Sequence, residues 1–248
     1  MRKAAKTFFV SFIPKYIGNK TVIRVYHMLT WIKVPRSVRE RNYRHNLENL
    51  RKSKKAVWKD AGVCIENQKQ WKDIWFGAGR HHDMMYSGCE IIAAFNAAKT
   101  MQGAGSPEDM AGLIRYFEAK GAALWGTFGT SPLAVAEYFK RCGFEVLLSY
   151  GDRRTMEAIE RDSFVMIATV YNDKCDITKQ IHTVCITRKN GYVLHNAYVR
   201  DRNGDYTASP SYETLENAIA HISNEETKLI CLLGIYRSNP CTQSAYRK

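Results

Sequence analysis

The sequence predicts an α+β fold, and three observations predict it. Helix-start signals and apolar stripes of helical period come first along the chain. Strand signals dominate the later part and include one clear hairpin. Helices interrupt the strands singly, with no internal repeat, so the sheet is expected to be mainly antiparallel.

The elements follow in order. Over residues 21–32, Arg24, His27 and Thr30 recur every three positions with apolar residues between them. That spacing gives a helix with a wide apolar face and a narrow polar stripe. Residues 36–59 read as a solvated basic helix. Residues 89–101 form a helix whose stripe is Ile91, Ile92, Phe95 and Ala98. Ser106-Pro107-Glu108-Asp109 is a strong helix start, with a capping serine, proline in the first turn and two acids at the positive end of the dipole. That helix runs to Lys120 and stops at Gly121. Ser131-Pro132 repeats the signal, and Gly143 ends the next helix. Strands are expected at 144–150, 164–171, 181–187, 192–198 and 228–236, with helices at 154–161 and 212–222. Val165, Ile167 and Val170 are the β-branched residues of the second strand.

Composition bounds the class. The chain has 248 residues, 45% hydrophobic and 25% charged, a balance that excludes wholesale disorder. No apolar run approaches the roughly 20 residues of a membrane-spanning helix. The net charge of +13 is unevenly spread: residues 1–60 hold 16 Lys and Arg against 3 acidic residues, and residues 61–248 hold 21 of each sign. The chain therefore reads as a basic N-terminal helical extension, 1–60, on a neutral body, 61–248. The extension either packs on the body or meets an anionic membrane surface or polyanion. Nothing matches a nucleic-acid-binding module, so no specific nucleic acid is expected as partner. Seven scattered cysteines without a CxxC pair imply free thiols in a reducing cytoplasm, peripheral to the membrane where the basic extension engages it. Arg2, Lys3 and Lys6 resemble the start of a secretory signal, but Pro14 ends a short apolar stretch and no small-x-small cleavage site follows.

Three residues carry a chemical pattern. Cys89 opens an apolar helix after Ser87-Gly88. There the dipole favours thiolate, and the backbone N–H is free for an oxyanion. His182 starts a strand and supplies the base that a thiol nucleophile needs. Asn196, on the return strand, can orient the imidazole. Hairpin register decides whether they meet. A two-residue turn at Asn190-Gly191 would put His182 on the face of His195, the fallback orienter. A three-residue loop, Lys189-Asn190-Gly191, makes Arg188 oppose Tyr192 and puts His182 on the face of Asn196. A type I turn closed by a bulge glycine favours the second register. Cys175 and Cys185 also lie near His182 in sequence, but neither opens a helix. His81-His82-Asp83 has no second cluster spaced to complete a metal site, so no metal and no organic cofactor are expected.

Gly88-Cys89-Glu90 before an apolar helix, followed by His182-Thr183-Val184-Cys185-Ile186 and Tyr192-Val193-Leu194-His195-Asn196, resembles the papain-like cysteine peptidases. It is similar to the bacterial branch that processes double-glycine leaders of bacteriocins. The resemblance covers residues 78–200. It implies a papain-like fold, with a helical lobe carrying the Cys89 helix packed on an antiparallel sheet. It implies a thiol-dependent hydrolase of peptide or amide bonds acting through an acyl-enzyme, with a peptide or protein as substrate. Cys89 is the nucleophile, His182 the base and Asn196 the orienter. The family carries a Gln several residues before the Cys. The matching stretch is His81-His82-Asp83-Met84-Met85-Tyr86, which makes Asp83 the oxyanion-side candidate and Tyr86 or His82 the alternative donors. An acyltransferase would share the first half-reaction, and a non-catalytic module with a working basic arm is the rival.

Overall fold

The computed structural model describes residues 18–237 apart from 54, 61, 80, 104, 173–180 and 223–228. The first 17 residues of the basic extension, Cys175 and Cys241 lie outside the described residues.

The chain is α+β, with helices and one fully antiparallel sheet. Two helices come first among the described residues, α1 (Asn19–Met28) and α2 (Arg36–Lys52). A short α3 (Met84–Ser87) leads into α4 (Cys89–Gln102), followed by α5 (Pro107–Lys120) and α6 (Pro132–Arg141). Strands β1 (Glu145–Ser149), β2 (Val165–Tyr171), β3 (Ile181–Arg188), β4 (Tyr192–His195) and β5 (Leu229–Tyr236) form a sheet of order β1-β5-β2-β3-β4. Helix α7 (Arg153–Asp162) joins β1 to β2, and α8 (Leu215–Ala220) lies between β4 and β5.

The sheet is buried on both faces, which explains why β2 reads as a continuous apolar run rather than an alternating one. Val165, Ile167, Cys185, Leu233 and Ile235 pack towards α4, α5 and α6. Met166, Ala168, Val184, Ile186 and Leu194 pack towards Ile159 of α7 and Leu215, Ala218 and Ile219 of α8. Each fully buried Val, Leu or Ile here contributes about 1.5–3 kcal/mol.

The start of α5 is as expected, with a full capping box between Ser106 and Asp109 and Pro107 in the first turn. The hairpin has the three-residue register, with Arg188 opposite Tyr192 and Cys185 opposite His195. Its turn differs from the expected type, because Asn190 as well as Gly191 has positive φ. The return strand stops at His195 instead of 198, because Asn196 enters the left-handed region at φ 62°. The last helix starts at Leu215, not at 212, because Tyr212 pairs with Tyr192 as an isolated bridge and Thr214 is the cap.

The basic extension departs from expectation in a way that bears on the site. Helix α2 ends at Lys52, and its inner face is not solvated. Leu50 is in the main core, and Asn42 and Asn46, four apart and therefore on one face, are fully buried. Asn46 Nδ2 donates to Trp75 O and its Oδ1 accepts from Trp75 N, both at 2.7 Å, as a strand partner would. Asn42 Nδ2 donates to Gly77 O and to Glu118 Oε1. In α1 and the turn after it the polar stripe is split: Arg24 faces solvent, but the other two positions turn inward. His27 bonds Ser131 and Thr30 is buried, whereas Val25, Met28, Trp31 and Ile32 are exposed. The reason is the inner packing of Ile23 and Tyr26 against Ala123, Tyr171 and Ile181. No helix among the described residues is long and apolar enough to cross a membrane.

Candidate active site

Cys89 is placed by a tight helix-to-helix step. Asp83 caps α3 by accepting from Tyr86 N, and Gly88 links α3 to α4. A Cβ on Gly88 would collide with Met84 O and lie 2.8 Å from Met84 Sδ, so only glycine fits the step. Cys89 then begins α4 with its thiol at the rim of β3. Strand β4 pairs only with residues 185–188, so the rim at Ile181 and Thr183 has no β4 partner. Sγ lies 3.9 Å from Ile181 O, and Thr183 N–H is directed at the sulfur.

The nearest acceptor for the thiol proton is Glu90 Oε2, at 3.2 Å. Burial and the Glu90 charge push the Cys89 thiol well above its ordinary range. Burial also raises Glu90 to about 7, against the pull of hydrogen bonds from the Glu90 and Thr130 main chain and from the Cys89 thiol. The N-terminal dipole that favours thiolate is thus outweighed in this arrangement.

By strand alternation His182 shares the face of Val184 and Ile186, opposite that of Thr183 and Cys185. Its Nε2 lies 2.8 Å from Asn196 O. A carbonyl only accepts, so Nε2 carries the proton and Nδ1 is the basic nitrogen. The ring stacks on Tyr198 at 4.8 Å between centroids. Burial lowers His182 to about 4, so the ring is neutral at pH 7. No hydrogen bond joins Cys89 to His182 among the described residues. The structure therefore brings His182 and Asn196 into contact and sets Cys89 at the main chain on either side of His182.

The contact from Asn196 is made by its carbonyl, not by its side chain. The side-chain amide is held by Gln68: Asn196 Nδ2 donates to Gln68 Oε1 at 3.1 Å, and Gln68 N donates to Asn196 Oδ1 at 3.2 Å. Gln68 Nε2 reaches Met85 O at 3.0 Å, just ahead of the nucleophile. A glutamine does reach the Cys89 approach, but from 21 positions upstream, and no local pattern marks it in sequence. The Asp83 carboxylate is engaged in its cap. Of the alternative donors, Tyr86 lines the Cys89 pocket, whereas His82 packs edge-on against Trp75. His195 points to other partners, Glu66 Oε1 at 2.6 Å and Thr187 Oγ1 at 2.9 Å.

The pocket at Cys89 is a small, partly open space of about 20 Å³ lined by Tyr26, Tyr86, Ser87, Glu90, Phe128, Gly129 and Ile181. That is room for about one water molecule. Tyr26, from α1, forms one wall and donates its hydroxyl proton to Phe128 O. Ser87 Oγ and Glu90 Oε1 line it with no hydrogen-bond partner among the described residues. Glu90 is signalled in sequence only by its place beside Cys89, and Tyr26 by its place among the apolar residues of the first helix. Comparison with family models, curated proteins and solved structures returned no match.

Proposed function

We propose that the protein is a thiol-dependent hydrolase of peptide or amide bonds with a papain-like arrangement. One observation carries the reading. The Cys89 thiol, at the start of a buried helix, meets β3 on either side of a histidine whose Nε2–H is held by Asn196 O and whose basic Nδ1 has no hydrogen-bond partner among the described residues. That tautomer suits a general base.

In the working form the His182 ring turns round the strand rim so that Nδ1 takes the thiol proton. Sγ then bonds to the substrate carbonyl carbon, and the Cys89 N–H, at the first position of α4, faces the oxyanion. Collapse breaks the C–N bond, and the departing amine takes the proton from His182. Water, deprotonated by His182, then cleaves the thioester and restores the thiol. A peptide or protein is the substrate class, and no cofactor is used. The described cysteines are all free, which supports a reducing, cytoplasmic setting.

A second reading has its own support. The thiol is directed at Glu90, and His182 sits on the far face of β3, as a non-catalytic module would allow. Val25, Met28, Trp31 and Ile32 are exposed beside a basic extension, which suits an anionic membrane surface. Peptide-library cleavage by wild type, Cys89→Ala and His182→Ala separates the two. Cleavage lost in both variants supports the hydrolase. No cleavage by wild type or by Tyr26→Ala, with salt-sensitive binding to anionic vesicles, leaves the module.

A further inference from the structure

We propose that Cys64, Glu66 and His195 form a binding site for a zinc-class divalent metal ion, separate from the Cys89 pocket. The three residues offer a thiol sulfur, a carboxylate oxygen and an imidazole nitrogen, all within 4.8 Å of one another. Cys64 and Glu66 are two apart in a stretch outside helix and strand, and His195 is the last residue of β4. The sequence does not show the cluster, because 129 positions separate Glu66 from His195.

The donor set selects the ion. Sulfur and imidazole nitrogen with one carboxylate suit zinc and its neighbours, and do not suit calcium or magnesium. Bonds to such an ion run about 2.0–2.3 Å, which puts neighbouring ligand atoms about 3.5 Å apart in a tetrahedron. The three ligand atoms, all within 4.8 Å of one another, bracket that spacing. Binding displaces the thiol proton and the proton shared by His195 Nδ1 and Glu66 Oε1, which now lie 2.6 Å apart.

The surroundings are built as those of a metal site are. Thr187 Oγ1 holds the other ring nitrogen of His195 at 2.9 Å. Asn196 N donates to the second Glu66 oxygen at 2.8 Å. Partners of this kind fix the orientation of ligands around an ion. A cleft of about 430 Å³ lined by Cys64, Glu66, Lys55, Trp71 and Tyr206 opens beside the cluster, which leaves a fourth position for water or a small ligand.

The test is titration of the metal-stripped full chain with Co²⁺, followed by competition with Zn²⁺. One equivalent of Co²⁺ should give tetrahedral visible bands and a thiolate-to-cobalt charge-transfer band, both lost when Zn²⁺ displaces it. Cys64→Ser should lose the charge-transfer band, Thr187→Val should weaken binding about 10-fold, and Cys89→Ser should change neither. No stoichiometric binding, or a charge-transfer band that survives Cys64→Ser, overturns the site. A measurement on wild type alone guards against a variant that fails to fold. Zn²⁺ should protect Cys64 from alkylation and leave Cys142 unprotected, and equal labelling of Cys64 with and without Zn²⁺ refutes the proposal.

Discussion

Gln68 and Asn196 hold each other at two points, the Asn196 amide on the Gln68 side chain and the Gln68 main-chain N–H on Asn196 Oδ1. Both residues are buried, and Asn196 adopts a left-handed backbone at φ 62° that asparagine tolerates better than most residues. Asn196→Ala leaves buried Gln68 groups unpaired and strains the backbone, so it should cost about 2–3 kcal/mol. Gln68→Ala should cost about 1–3 kcal/mol, and the double variant should fall short of the sum by more than about 0.5 kcal/mol. Denaturant unfolding of the four proteins measures this; strict additivity would show that the pair is not a unit.

Cys89 reactivity should be gated by Tyr26. In the full chain the thiol is buried, directed at Glu90 and raised well above its ordinary range, so alkylation should be slow through neutral pH. Tyr26→Ala removes one wall of the pocket and should speed Cys89 labelling about 10-fold or more, while the rate at exposed Cys142 stays fixed. Peptide mass spectrometry reads both sites in one sample. Equal acceleration at both cysteines would mean general loosening, and none at Cys89 would mean that α1 does not cover it.

Glu118 should make stability fall as pH rises. Burial raises its carboxyl from 4.5 to about 7, against the pull of Asn42 and Gly77 N–H. A folded value above the unfolded one means that the native state holds the proton more tightly. The contribution is complete below about pH 4.5 and is lost as pH rises through about 7, a change of about 3 kcal/mol. Glu118→Gln keeps the acceptor for Gly77 N and cannot ionise. The variant should therefore gain on wild type between pH 5 and 8, as read from unfolding midpoints across that range. Parallel pH profiles would place the titration elsewhere.

What was legible in the sequence was local. The capping box at Ser106, the glycine stops, the Cys89 helix start and the hairpin register all depend on neighbours within a few residues. What was not legible depends on partners far along the chain. Asn42 and Asn46 read as polar surface residues until Trp75, Gly77 and Glu118 meet them. Asn196 was readable as a partner of His182, but the choice of its carbonyl over its amide is made by Gln68, 128 positions away. The exposed apolar side of α1 was hidden for the same reason, since burial of Ile23 and Tyr26 against the body decides which face turns out.

Gly88 sets where the nucleophile sits, and a single methyl group should show it. At φ −102° and ψ 5° the backbone does not itself demand glycine. The constraint is space, because a Cβ would run into Met84 O and approach Met84 Sδ and Cε to 2.8 Å. The methionine side chain can yield, but the carbonyl cannot without opening the Gly88 N to Met84 O hydrogen bond, 3.1 Å long, that ends α3. Gly88→Ala should therefore cost about 1–3 kcal/mol and displace Cys89 from the β3 rim. Gly103→Ala is the reference for a strained glycine elsewhere: it has φ 85° and nothing within 4 Å of the added atom, so its cost is backbone strain alone. If both variants lose stability but only Gly88→Ala changes the Cys89 labelling rate, the step at Gly88 positions the thiol. If Gly103→Ala changes that rate equally, the effect belongs to α4 as a whole.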